Sequence, residues 1–492
     1  MSANRPQARA PRGFQDRLGP AIAAEAELIH RASSAYEKWG FQRLDTSAFE
    51  FTESLGKFLP DKDRPNEGVF SLQDDDDQWM SLRYDLTAPL ARYVAENRQV
   101  LGKPFRRWQA GPVWRNEKPG PGRFRQFMQC DADSVGVPGA AADAEMIMLA
   151  CDALEAIGVQ RGEYSLKINT RRALNAVLSQ ISSNGSESEE ERNGTILRAI
   201  DKLDRLKIEG VTALLGEGRM DESGDFTKGA GLDAASIERV IAFVSAGQVN
   251  NDSTVTALET AIGNTDAGTE ALNEIKEINA IMARCGYGGD RAAIDPSIVR
   301  GLDYYTGPVF EAELTMRKPN GKPIGVGSVG GGGRYDDLIA RFTGETMPAT
   351  GFSIGVSRLI TALETAGRPL LGEAMGPALI LVFDQDDMGD YFELAQRLRA
   401  KGIAAEVYLG GSGMKAQMKY ADRRNCPVAI MFGSNEKDKG IVSIKDLRVG
   451  KKRAQAIKDN ETWREERPGQ FEAALDDFER VVSETIAAVV YK

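Results

Sequence analysis

The sequence predicts a mixed α/β chain with more than one domain, and three observations lead to this prediction. Residues 104–136 have the pattern of two strands joined by a turn rich in proline and glycine. A helical pattern over 22–39 passes directly into the strand-like run 41–51. After residue 376, strands and helices alternate, which is typical of a small α/β domain with a largely parallel sheet. A chain of 492 residues is long enough for two to four domains.

Composition limits the classes of protein to consider. The chain is 42% hydrophobic and 27% charged, as in ordinary globular proteins. No apolar run approaches the roughly 20 residues of a membrane span, and the N-terminus has no apolar signal core. We therefore expect a cytoplasmic protein without membrane contact. The four cysteines are scattered without a CxxC pair, which argues against a zinc site and against a disulfide framework.

The chain contains a single histidine, His30. This excludes a histidine-dependent catalytic triad elsewhere and any multi-histidine metal site. His30 lies within the helical pattern that ends at Gly40, so it is expected to be a surface or packing residue. The net charge of −10 does not exclude a nucleic-acid partner, because the local field decides such binding. Basic clusters such as Arg106 with Arg107 could meet phosphates or could simply be solvated.

The predicted hairpin carries charged, polar and aromatic side chains on one face. Because side chains alternate along a strand, the return arm places five residues together: Arg125, Phe127, Gln129, Asp131 and Asp133. In the outgoing arm, Arg115 and Glu117 share a face. Arginine binds phosphate or carboxylate oxygens, while a neighbouring carboxylate can hold an ammonium group. The stretch therefore suits a ligand with both anionic and cationic groups, although a solvated hairpin is the alternative from these residues alone.

The segment 81–97 precedes this hairpin and places Asp85 and Thr87 on one face, just before a predicted helix. An acid and a hydroxyl at the end of a strand can hold an amine. The acidic run Asp74 to Asp77 is better read as a solvated turn, because consecutive aspartates cannot all turn toward one ion. The sequence therefore predicts no dedicated metal site.

Several stretches, in order along the chain, resemble class II aminoacyl-tRNA synthetases and the histidyl-tRNA synthetase family in particular. GPVWRNEKPGPGRFRQF at 111–127 resembles the second class II motif, and SLRYDLTAPLARY at 81–93 resembles the segment before it. RGLDYYTGPVFE at 300–311 resembles the histidine-binding signature of that family. GGGGRYDDLIARF at 330–342 and GFSIGVSRLITAL at 351–363 are similar to its remaining elements. The histidine-binding signature is the most specific of these matches.

The resemblance implies an α+β catalytic core built on the antiparallel class II sheet, formed by residues 1–169 and 291–370. It also implies a C-terminal α/β anticodon-binding domain at 377–492. Between the two parts of the core, residues 170–290 contain helix-like segments separated by glycines and are expected to form a mainly helical insertion. In the family such an insertion can clamp the tRNA acceptor arm; a plain structural insert is the alternative. The resemblance further implies a homodimer, joined through the helix at 21–39 and the strand after it.

The function implied by the resemblance is activation of L-histidine with ATP, followed by transfer of histidine to the 3′ end of histidine tRNA. Magnesium would accompany the ATP phosphates. The resemblance implies catalytic roles for Arg115 and Arg300 at the reacting carboxylate and α-phosphate. The implied ATP-binding residues are Arg115, Glu117, Arg123, Phe127 and Arg358. Such a reaction needs fixed positive donors more than a base, which is compatible with a single histidine.

The resemblance places another set of residues around the amino acid. Those implied around the α-amino group and carboxylate are Asp85, Thr87, Gln129, Asp133 and Arg300. Tyr305 and Tyr335 are implied around the imidazole ring, where a phenolic hydroxyl can donate or accept. Each tyrosine taken alone is equally compatible with a core position.

Two related classes are alternatives. The regulatory subunit of ATP phosphoribosyltransferase resembles the histidyl-tRNA synthetase core but forms no aminoacyl-adenylate, and class II synthetases for proline, threonine or glycine share the general motifs. The motif arginines, the complete RGLDYYTG string and the C-terminal α/β pattern favour the histidyl family.

The chain also departs from the family pattern. Asp85 and Asp133 stand where glutamate is common in the family. Gly120 and Pro121 stand where most bacterial members carry glutamine and a basic residue facing the tRNA acceptor end. We therefore expect charging that does not depend on the extra guanosine at position minus one of histidine tRNA.

Overall fold

The computed structural model describes residues 6–55, 68–120, 124–181, 189–221, 224–262, 265–299, 304–371, 375–448 and 469–487, apart from the side chains of Glu190 and Asp204. Contacts divide the chain into two compact units, Met1–Leu371 and Gly372–Lys492. Each unit is described by itself.

The first unit is organised around an eight-stranded sheet. The strands of this unit are β1 Gln42–Arg43, β2 Phe49–Phe51, β3 Ser71–Gln73, β4 Trp79–Leu82, β5 Phe105–Trp114, β6 Gln126–Val135, β7 Tyr164–Thr170, β8 Gly218–Met220, β9 Phe226–Lys228, β10 Ala292–Ile294, β11 Pro308–Leu314, β12 Gly330–Arg334 and β13 Ala349–Gly355. The large sheet has the order β1-β5-β6-β13-β12-β11-β7-β10. Its two outermost pairings are parallel and the pairings between them are antiparallel. The expected antiparallel core sheet and the predicted hairpin of β5 and β6 are confirmed.

The helices of the first unit are α1 Gly19–Lys38, α2 Thr52–Leu55, α3 Thr87–Asn97, α4 Ala140–Ile157, α5 Arg171–Leu178, α6 Glu189–Ile200, α7 Leu203–Leu215, α8 Ala234–Val244, α9 Asn251–Ile262, α10 Asp266–Arg284, α11 Asp337–Thr343 and α12 Val356–Thr365. The predicted helix over 22–39 corresponds to α1. The strand-like run after it forms two short strands, of which β1 joins the large sheet and β2 pairs with β4 instead.

One face of the large sheet is covered by α1, α4 and α12. Tyr36 of α1 and Leu149 of α4 are fully buried in the core that these helices form with the sheet. The even-numbered residues Cys130 and Ala132 of β6 and Phe352 of β13 point into the same core. Because side chains alternate, the odd-numbered residues of β6 and β13 face the opposite side. The polar face predicted for the hairpin is therefore the face opposite α1, α4 and α12, where Val135 and Ala349 at one end pack against α3 and α11.

Helices α5 to α10 build a second core, which includes Leu174, Phe243, Leu258 and Ile275. Helix α10 begins at an N-cap, where the Thr265 hydroxyl accepts a hydrogen bond from the amide of Gly268 at 3.0 Å. These helices occupy most of the range 170–290. The assignment of that range as a separate insertion, like the other domain boundaries, stays a prediction.

The second unit is a five-stranded α/β unit. Its strands are β14 Ala378–Ile380, β15 Ala405–Val407, β16 Val428–Met431, β17 Ile441–Asp446 and β18 Gln470–Ala474, and its helices are α13 Met388–Ala400, α14 Met414–Arg423, α15 Ser434–Lys439 and α16 Phe478–Ala487. The α/β prediction is confirmed, but the prediction of a largely parallel sheet is wrong for half of it. In the order β15-β14-β16-β17-β18, β16 pairs with β17 and β17 with β18 antiparallel. The six-residue helix α15 is too short for the crossover that a parallel pair requires.

Among the described residues, no helix of either unit is long and apolar enough to cross a membrane.

Candidate functional site

A cavity of about 650 Å³ lies on the face of β6 and β13 opposite α1, α4 and α12. It collects residues from distant parts of the first unit: the start of α3, both arms of the β5–β6 hairpin, β12, β13 and α12. Eight of the sequence-predicted site residues line it, namely Asp85, Thr87, Arg115, Glu117, Phe127, Gln129, Tyr305 and Arg358. The fold therefore brings together most of the residues that were selected from separate stretches of sequence.

Arg115 lies directly after β5 and is held by one edge of its guanidinium group. Its Nε donates to the carbonyl of Tyr84 at 3.2 Å, and its Cζ lies 5.2 Å from the ring centroid of Phe127. Among the described residues, its two terminal nitrogens make no hydrogen bond within the protein. A guanidinium held in this way can present a fork to phosphate or carboxylate oxygens.

Arg358 lies in the first turn of α12 at another edge of the cavity. Its Nη1 donates to the carbonyl of Ser328 at 2.6 Å, which ties the helix to the segment before β12. The side chain is exposed at the cavity, where an anionic ligand can approach it from solvent. Arg115 and Arg358 thus place two positive groups on one cavity.

Asp85 and Thr87 lie at the N-terminus of α3. One carboxylate oxygen of Asp85 accepts the amides of Thr87 at 3.1 Å and Ala88 at 2.9 Å. Burial raises the pKa of Asp85 above its ordinary value, while the Ala88 amide and Arg115 oppose that shift. The backbone amides fix the orientation of this carboxylate, which suits it to hold an ammonium group.

Gln129 and Asp131 form the floor of the cavity. The side-chain amide of Gln129 donates to the hydroxyl of Ser353 on the facing strand at 2.6 Å. Burial raises the pKa of Asp131 to about 8, and nearby Arg107 opposes the shift. Sequence reasoning assigned Gln129 to the site but left out Asp131, although strand alternation places both on the same face.

Asp133 and Tyr335 do not line the cavity in this structure. A carboxylate oxygen of Asp133 lies 2.8 Å from Nη2 of Arg107, and the hydroxyl of Tyr335 donates to the other oxygen. All three side chains are buried. The ring of Tyr335 lies 5.7 Å from the ring of Tyr304, which does line the cavity. Asp133 and Tyr335 therefore support the cavity wall from behind.

The glycine strand β12 supplies another wall. A Cβ added at Gly332 would lie 2.0 Å from the carbonyl oxygen of Gly351. A Cβ at Gly330 would lie 2.7 Å from Cζ of Phe352, whereas one at Gly331 would have 3.5 Å to the carbonyl oxygen of Phe310. Glycine at Gly330 and Gly332 therefore lets β12 and β13 approach closely, and bare peptide faces the cavity.

Other lining residues were not foreseen from the sequence. These are Phe124, Tyr304, Phe310, Ser328 to Gly332, Ser353, Gly355 and Ser357. Tyr304 is adjacent to the predicted Tyr305, so the double tyrosine was the available signal. Ser353 and Phe310 depend on which strands become neighbours, which the local sequence does not state.

Three of the predicted site residues, Pro121, Arg123 and Arg300, lie outside the described residues. Gly120 is described; it is exposed, and nothing lies within 4 Å of a Cβ added there. No group of three His, Cys, Asp or Glu side chains that could hold a metal ion occurs among the described residues.

A second groove, of about 870 Å³, is larger but less suited to an anionic ligand. Phe49, Phe51, Met80 and Phe342 contribute apolar surface to it. Its Arg92 is already paired with Glu50 at 2.8 Å. We therefore regard the cavity at Arg115 and Arg358 as the candidate active site.

Comparison with known proteins agrees with this geometry. The histidyl-tRNA synthetase family profile matches residues 13–359, and the anticodon binding domain profile matches residues 378–466. The chain belongs to the histidyl-tRNA synthetase family. It is accordingly an ATP-dependent ligase that attaches histidine to tRNA, and the predictions of family, fold class and activity are confirmed.

Relatives and solved structures extend the comparison over nearly the whole chain. The histidine–tRNA ligase of Caulobacter vibrioides is 56% identical over 95% of this chain and 94% of its own length. That of Brucella ovis is 53% identical over 99% of this chain and 97% of its own length. The crystal structure of histidyl-tRNA synthetase from Nostoc sp. PCC 7120 superposes with a TM-score of 0.70 at 26% identity, covering 98% of this chain and all of that one.

A structure from Bacillus halodurans described as an ATP phosphoribosyltransferase regulatory subunit/histidyl-tRNA synthetase shares the fold, with a TM-score of 0.65 at 24% identity. It covers 85% of this chain and 97% of its own length. At this identity the similarity concerns the fold alone. The relatives at 53% and 56% identity favour the ligase over the regulatory alternative.

Proposed function

We propose that the cavity on β6 and β13 is the place where this synthetase joins histidine to ATP. The proposal rests on one observation: two arginines and the carboxylates of Asp85 and Asp131 line the same cavity of about 650 Å³. An amino acid and ATP together present carboxylate, phosphate and ammonium groups, and these are the complements of the cavity's charges.

The arginines are proposed to stabilise the charge that develops during activation. Attack of the histidine carboxylate on the α-phosphorus of ATP forms the mixed anhydride and releases pyrophosphate, so negative charge gathers on phosphate oxygens. Arg115, which lines the cavity and is held through Nε, is proposed to bind the α-phosphate and the carboxylate. Arg300 is proposed to lie across the same groups, and Arg358 to bind the γ-phosphate. Preorganised donors of this kind lower the barrier without a general base.

The remaining ATP contacts are proposed on the hairpin. Phe127 offers an aromatic face for adenine, and Glu117 and Arg123 would position the nucleotide. Glu117 is exposed at the cavity and offers a hard oxygen ligand. Because Mg²⁺ in such sites usually takes most of its ligands from phosphates and water, a single carboxylate is compatible with it. When bound, Mg²⁺ would neutralise charge on the phosphates.

Histidine is proposed to bind with its α-ammonium group near Asp85, Thr87 and Gln129. Tyr305 is proposed beside the imidazole ring. Asp133 and Tyr335 are proposed to support histidine binding indirectly. Asp133 pairs with Arg107 and accepts from Tyr335, and the ring of Tyr335 packs near the ring of Tyr304. These contacts would hold the floor of the cavity and the Tyr304 ring in place.

The test of this proposal is ATP–pyrophosphate exchange by the purified protein with each amino acid in turn. We expect exchange with histidine alone. Exchange with proline, threonine or glycine, or with none of the amino acids, would contradict the proposed site chemistry.

Arg300 can be tested in the same assay. Removal of one preorganised donor typically costs about 10² to 10³ in rate. Arg300→Ala should therefore lose most adenylate formation while the protein stays folded. Exchange close to the wild-type rate in this variant would exclude the assigned role.

We further propose that charging does not depend on the extra guanosine at position minus one of histidine tRNA. Gly120 offers no side chain to contact that nucleotide, and Pro121 carries no charge. Transcripts with and without the guanosine should be charged with similar kcat/KM. Charging that collapses when the nucleotide is removed would refute the proposal.

We also propose a cytoplasmic homodimer joined through α1 and the strands β1 and β2 that follow it. Phe51 of β2 and Ile22 of α1 are half exposed in the single chain, as expected for residues that meet a partner. Sedimentation equilibrium should report twice the mass of the chain, and a monomer at micromolar concentration would contradict this.

A further inference from the structure

The segment that carries Tyr304 and Tyr305 continues through Thr306 to the start of β11. We propose that the hydroxyl of Thr306 is a positioning group for histidine binding, because it joins this segment to the residues on both sides of Tyr335. Thr306 does not line the cavity, and the resemblance assigns it no role. The proposal rests on the proposed function of the cavity and makes Thr306 a residue that acts through Tyr305.

Residues 304–307 belong to neither a helix nor a strand. Their position therefore depends on bonds to neighbouring elements. The Thr306 amide donates to the carbonyl of Arg334 at 2.7 Å, and the Gly307 carbonyl accepts from the amide of Arg171 at 2.9 Å. These two backbone bonds hold the end of the segment, and the side chain of Thr306 adds to them.

The hydroxyl of Thr306 is used in both directions. It accepts a hydrogen bond from the amide of Asp336 at 3.1 Å and donates to the carbonyl of Arg334 at 3.4 Å. Arg334 and Asp336 are the residues directly before and after Tyr335. Since Tyr305 directly precedes Thr306, a single hydroxyl connects the backbones that carry these two tyrosines.

The residues that Thr306 contacts are themselves anchored in the large sheet. The carboxylate of Asp336 accepts from the amide of Ala349 on β13 at 3.1 Å. Arg334, which is 3% exposed, pairs with Asp143 of α4 at 2.7 Å. The hydroxyl of Thr306 therefore ties an irregular segment to a fixed part of the core.

The packing of the aromatic rings shows what a shift at Thr306 would change. The rings of Tyr304 and Tyr305 lie edge to face with centroids 5.1 Å apart, and the ring of Tyr304 lies 5.7 Å from that of Tyr335. Tyr305 also lies close to β12, since a Cβ added at Gly333 would come within 2.8 Å of its Cδ1. Both Tyr304 and Tyr305 line the cavity. A shift of the segment would therefore move two lining rings together.

Histidine binding should be sensitive to such a shift. An imidazole ring offers one N–H donor and one acceptor nitrogen, and a phenolic hydroxyl can pair with either. These hydrogen bonds weaken steeply when distance and angle depart from their optimum. ATP is proposed to bind at Arg115, Phe127 and Arg358, which belong to the β5–β6 hairpin and α12. Its binding should therefore be much less affected than that of histidine.

The alternative is a purely structural role, in which Thr306 closes the segment without setting the geometry of the site. Removal of the hydroxyl deprives the Asp336 amide of this acceptor, so some loss of stability is expected in either case. A structural role would leave KM for histidine unchanged in the protein that remains folded. KM for histidine, measured beside KM for ATP, therefore separates the two roles.

The experiment uses the full-length protein with Thr306→Val, Thr306→Ala and Thr306→Ser. Valine keeps the shape of threonine without the hydroxyl, alanine removes the hydroxyl without added bulk, and serine retains it. Thr315→Val is the matched control, because the exposed Thr315 also donates to a backbone carbonyl, that of Gly162 at 2.7 Å, and does not line the cavity. ATP–pyrophosphate exchange gives kcat and the KM values for histidine and ATP.

In Thr306→Val and Thr306→Ala, KM for histidine should rise about 3- to 10-fold, the usual value of a neutral hydrogen bond. KM for ATP should stay within about twofold of the wild type. Thr306→Ser should restore KM for histidine, and Thr315→Val should match the wild type in every constant.

A double-mutant cycle with Tyr305→Phe tests the path of the effect. If Thr306 acts through the phenolic hydroxyl of Tyr305, Thr306→Val should raise KM for histidine less in the Tyr305→Phe background than in the wild type, since coupled residues are not additive. An equal rise in both backgrounds would show that Thr306 does not act through Tyr305.

Other results would also overturn the proposal. Unchanged KM for histidine, or loss of the folded state, in both Thr306→Val and Thr306→Ala would assign the hydroxyl to the fold alone. A parallel rise in KM for ATP would indicate a general distortion of the cavity, and a serine variant as impaired as the valine variant would exclude the hydroxyl. Absence of histidine-dependent exchange in the wild-type protein would instead count against the proposed function, so the two failures are distinguishable.

Discussion

Asp131 and Asp133 differ in their partners although they lie two residues apart on the same face of β6. Asp133 lies in an ion pair with the buried Arg107 at 2.8 Å and accepts a hydrogen bond from Tyr335, so its charge is balanced by a protein partner. Asp131 is equally buried, but among the described residues it forms no ion pair, and only the Ser353 hydroxyl and the charge of Arg107 oppose the rise in its pKa. The difference indicates that the charge of Asp133 is paired within the fold, whereas Asp131 lines the cavity without such a pair.

Two arginines of the same unit show the same contrast. Arg334 donates through Nε and Nη2 to Asp143 at 3.0 and 2.7 Å and is 3% exposed. Arg115 is half-buried and is held through Nε, with its ring contact to Phe127. Arg334 is thus neutralised inside the protein, whereas the terminal nitrogens of Arg115 make no hydrogen bond with a described residue.

The largest effect that tests this contrast is expected for Asp133→Asn. This substitution leaves Arg107, which is fully buried, without its ionic partner. Breaking a buried pair from one side typically costs about 3 to 5 kcal/mol. The free energy of unfolding from urea titration should fall by about that amount. If Asp133→Asn were as stable as the wild type, the division between fold and cavity carboxylates would not hold.

Arg115→Ala should show the opposite behaviour, with loss of activity and little loss of stability. Removing one donor to the developing phosphate charge should slow pyrophosphate exchange about 10² to 10³-fold. The unfolding temperature should stay close to that of the wild type. Arg43→Ala is the control, because Arg43 pairs with Asp45 at 2.9 Å on an exposed surface of the same unit. An exchange rate as high as that of the Arg43→Ala control would show that Arg115 has no role in catalysis.

Asp131→Asn should give a smaller effect with a distinctive pH dependence. The pKa of Asp131 is raised to about 8 in the fold, while an unfolded aspartate titrates near its ordinary value of about 4. Between these values the folded protein binds one proton more than the unfolded chain, so this group lowers stability as pH rises. Asparagine does not titrate, and the ligand-free variant should therefore become more stable than the wild type toward pH 8, by about 1 to 3 kcal/mol.

The measurement for Asp131→Asn is the difference in the free energy of unfolding between variant and wild type from pH 4 to pH 9. The difference should be near zero at the acidic end and should grow toward pH 8. A constant difference, or one that shrinks as pH rises, would contradict a buried carboxylate with a raised pKa at this position.

Ser353→Ala should have the smallest effect. The Ser353 hydroxyl accepts from the side-chain amide of Gln129 at 2.6 Å, and loss of one neutral hydrogen bond costs about 0.5 to 1.5 kcal/mol. KM for histidine should rise by no more than about 10-fold. A larger change would mean that the orientation of Gln129, more than the charge of Asp131, controls the floor of the cavity.

The sequence predicted the hairpin and its polar face because both follow from local rules. Turn residues at 117–123 and strand alternation place Gln129, Asp131 and Asp133 together. The different surroundings of Asp131 and Asp133 do not follow from those rules. It depends on the register that sets Arg107 opposite Asp133, and register is fixed by the complete sheet.

Other differences have the same origin. Ser353 and Phe310 line the cavity because β13 and β11 become neighbours of strands that are distant in sequence. The second unit was expected to be largely parallel because strands and helices alternate in it, but the direction of β17 depends on a connection too short for a crossover. Local pattern identified the elements, and long-range pairing decided the residues that meet.

The glycine strand β12 has a consequence for inhibitors and resistance. A compound that lies on the bare peptide of β12 would depend little on side chains that a point mutation can alter. Any replacement at Gly332 or Gly330 inserts a carbon 2.0 or 2.7 Å from the neighbouring strand, whereas Gly331 alone has room, at 3.5 Å. Escape mutations against such a compound should therefore be confined to Gly331 and to the rim of the cavity.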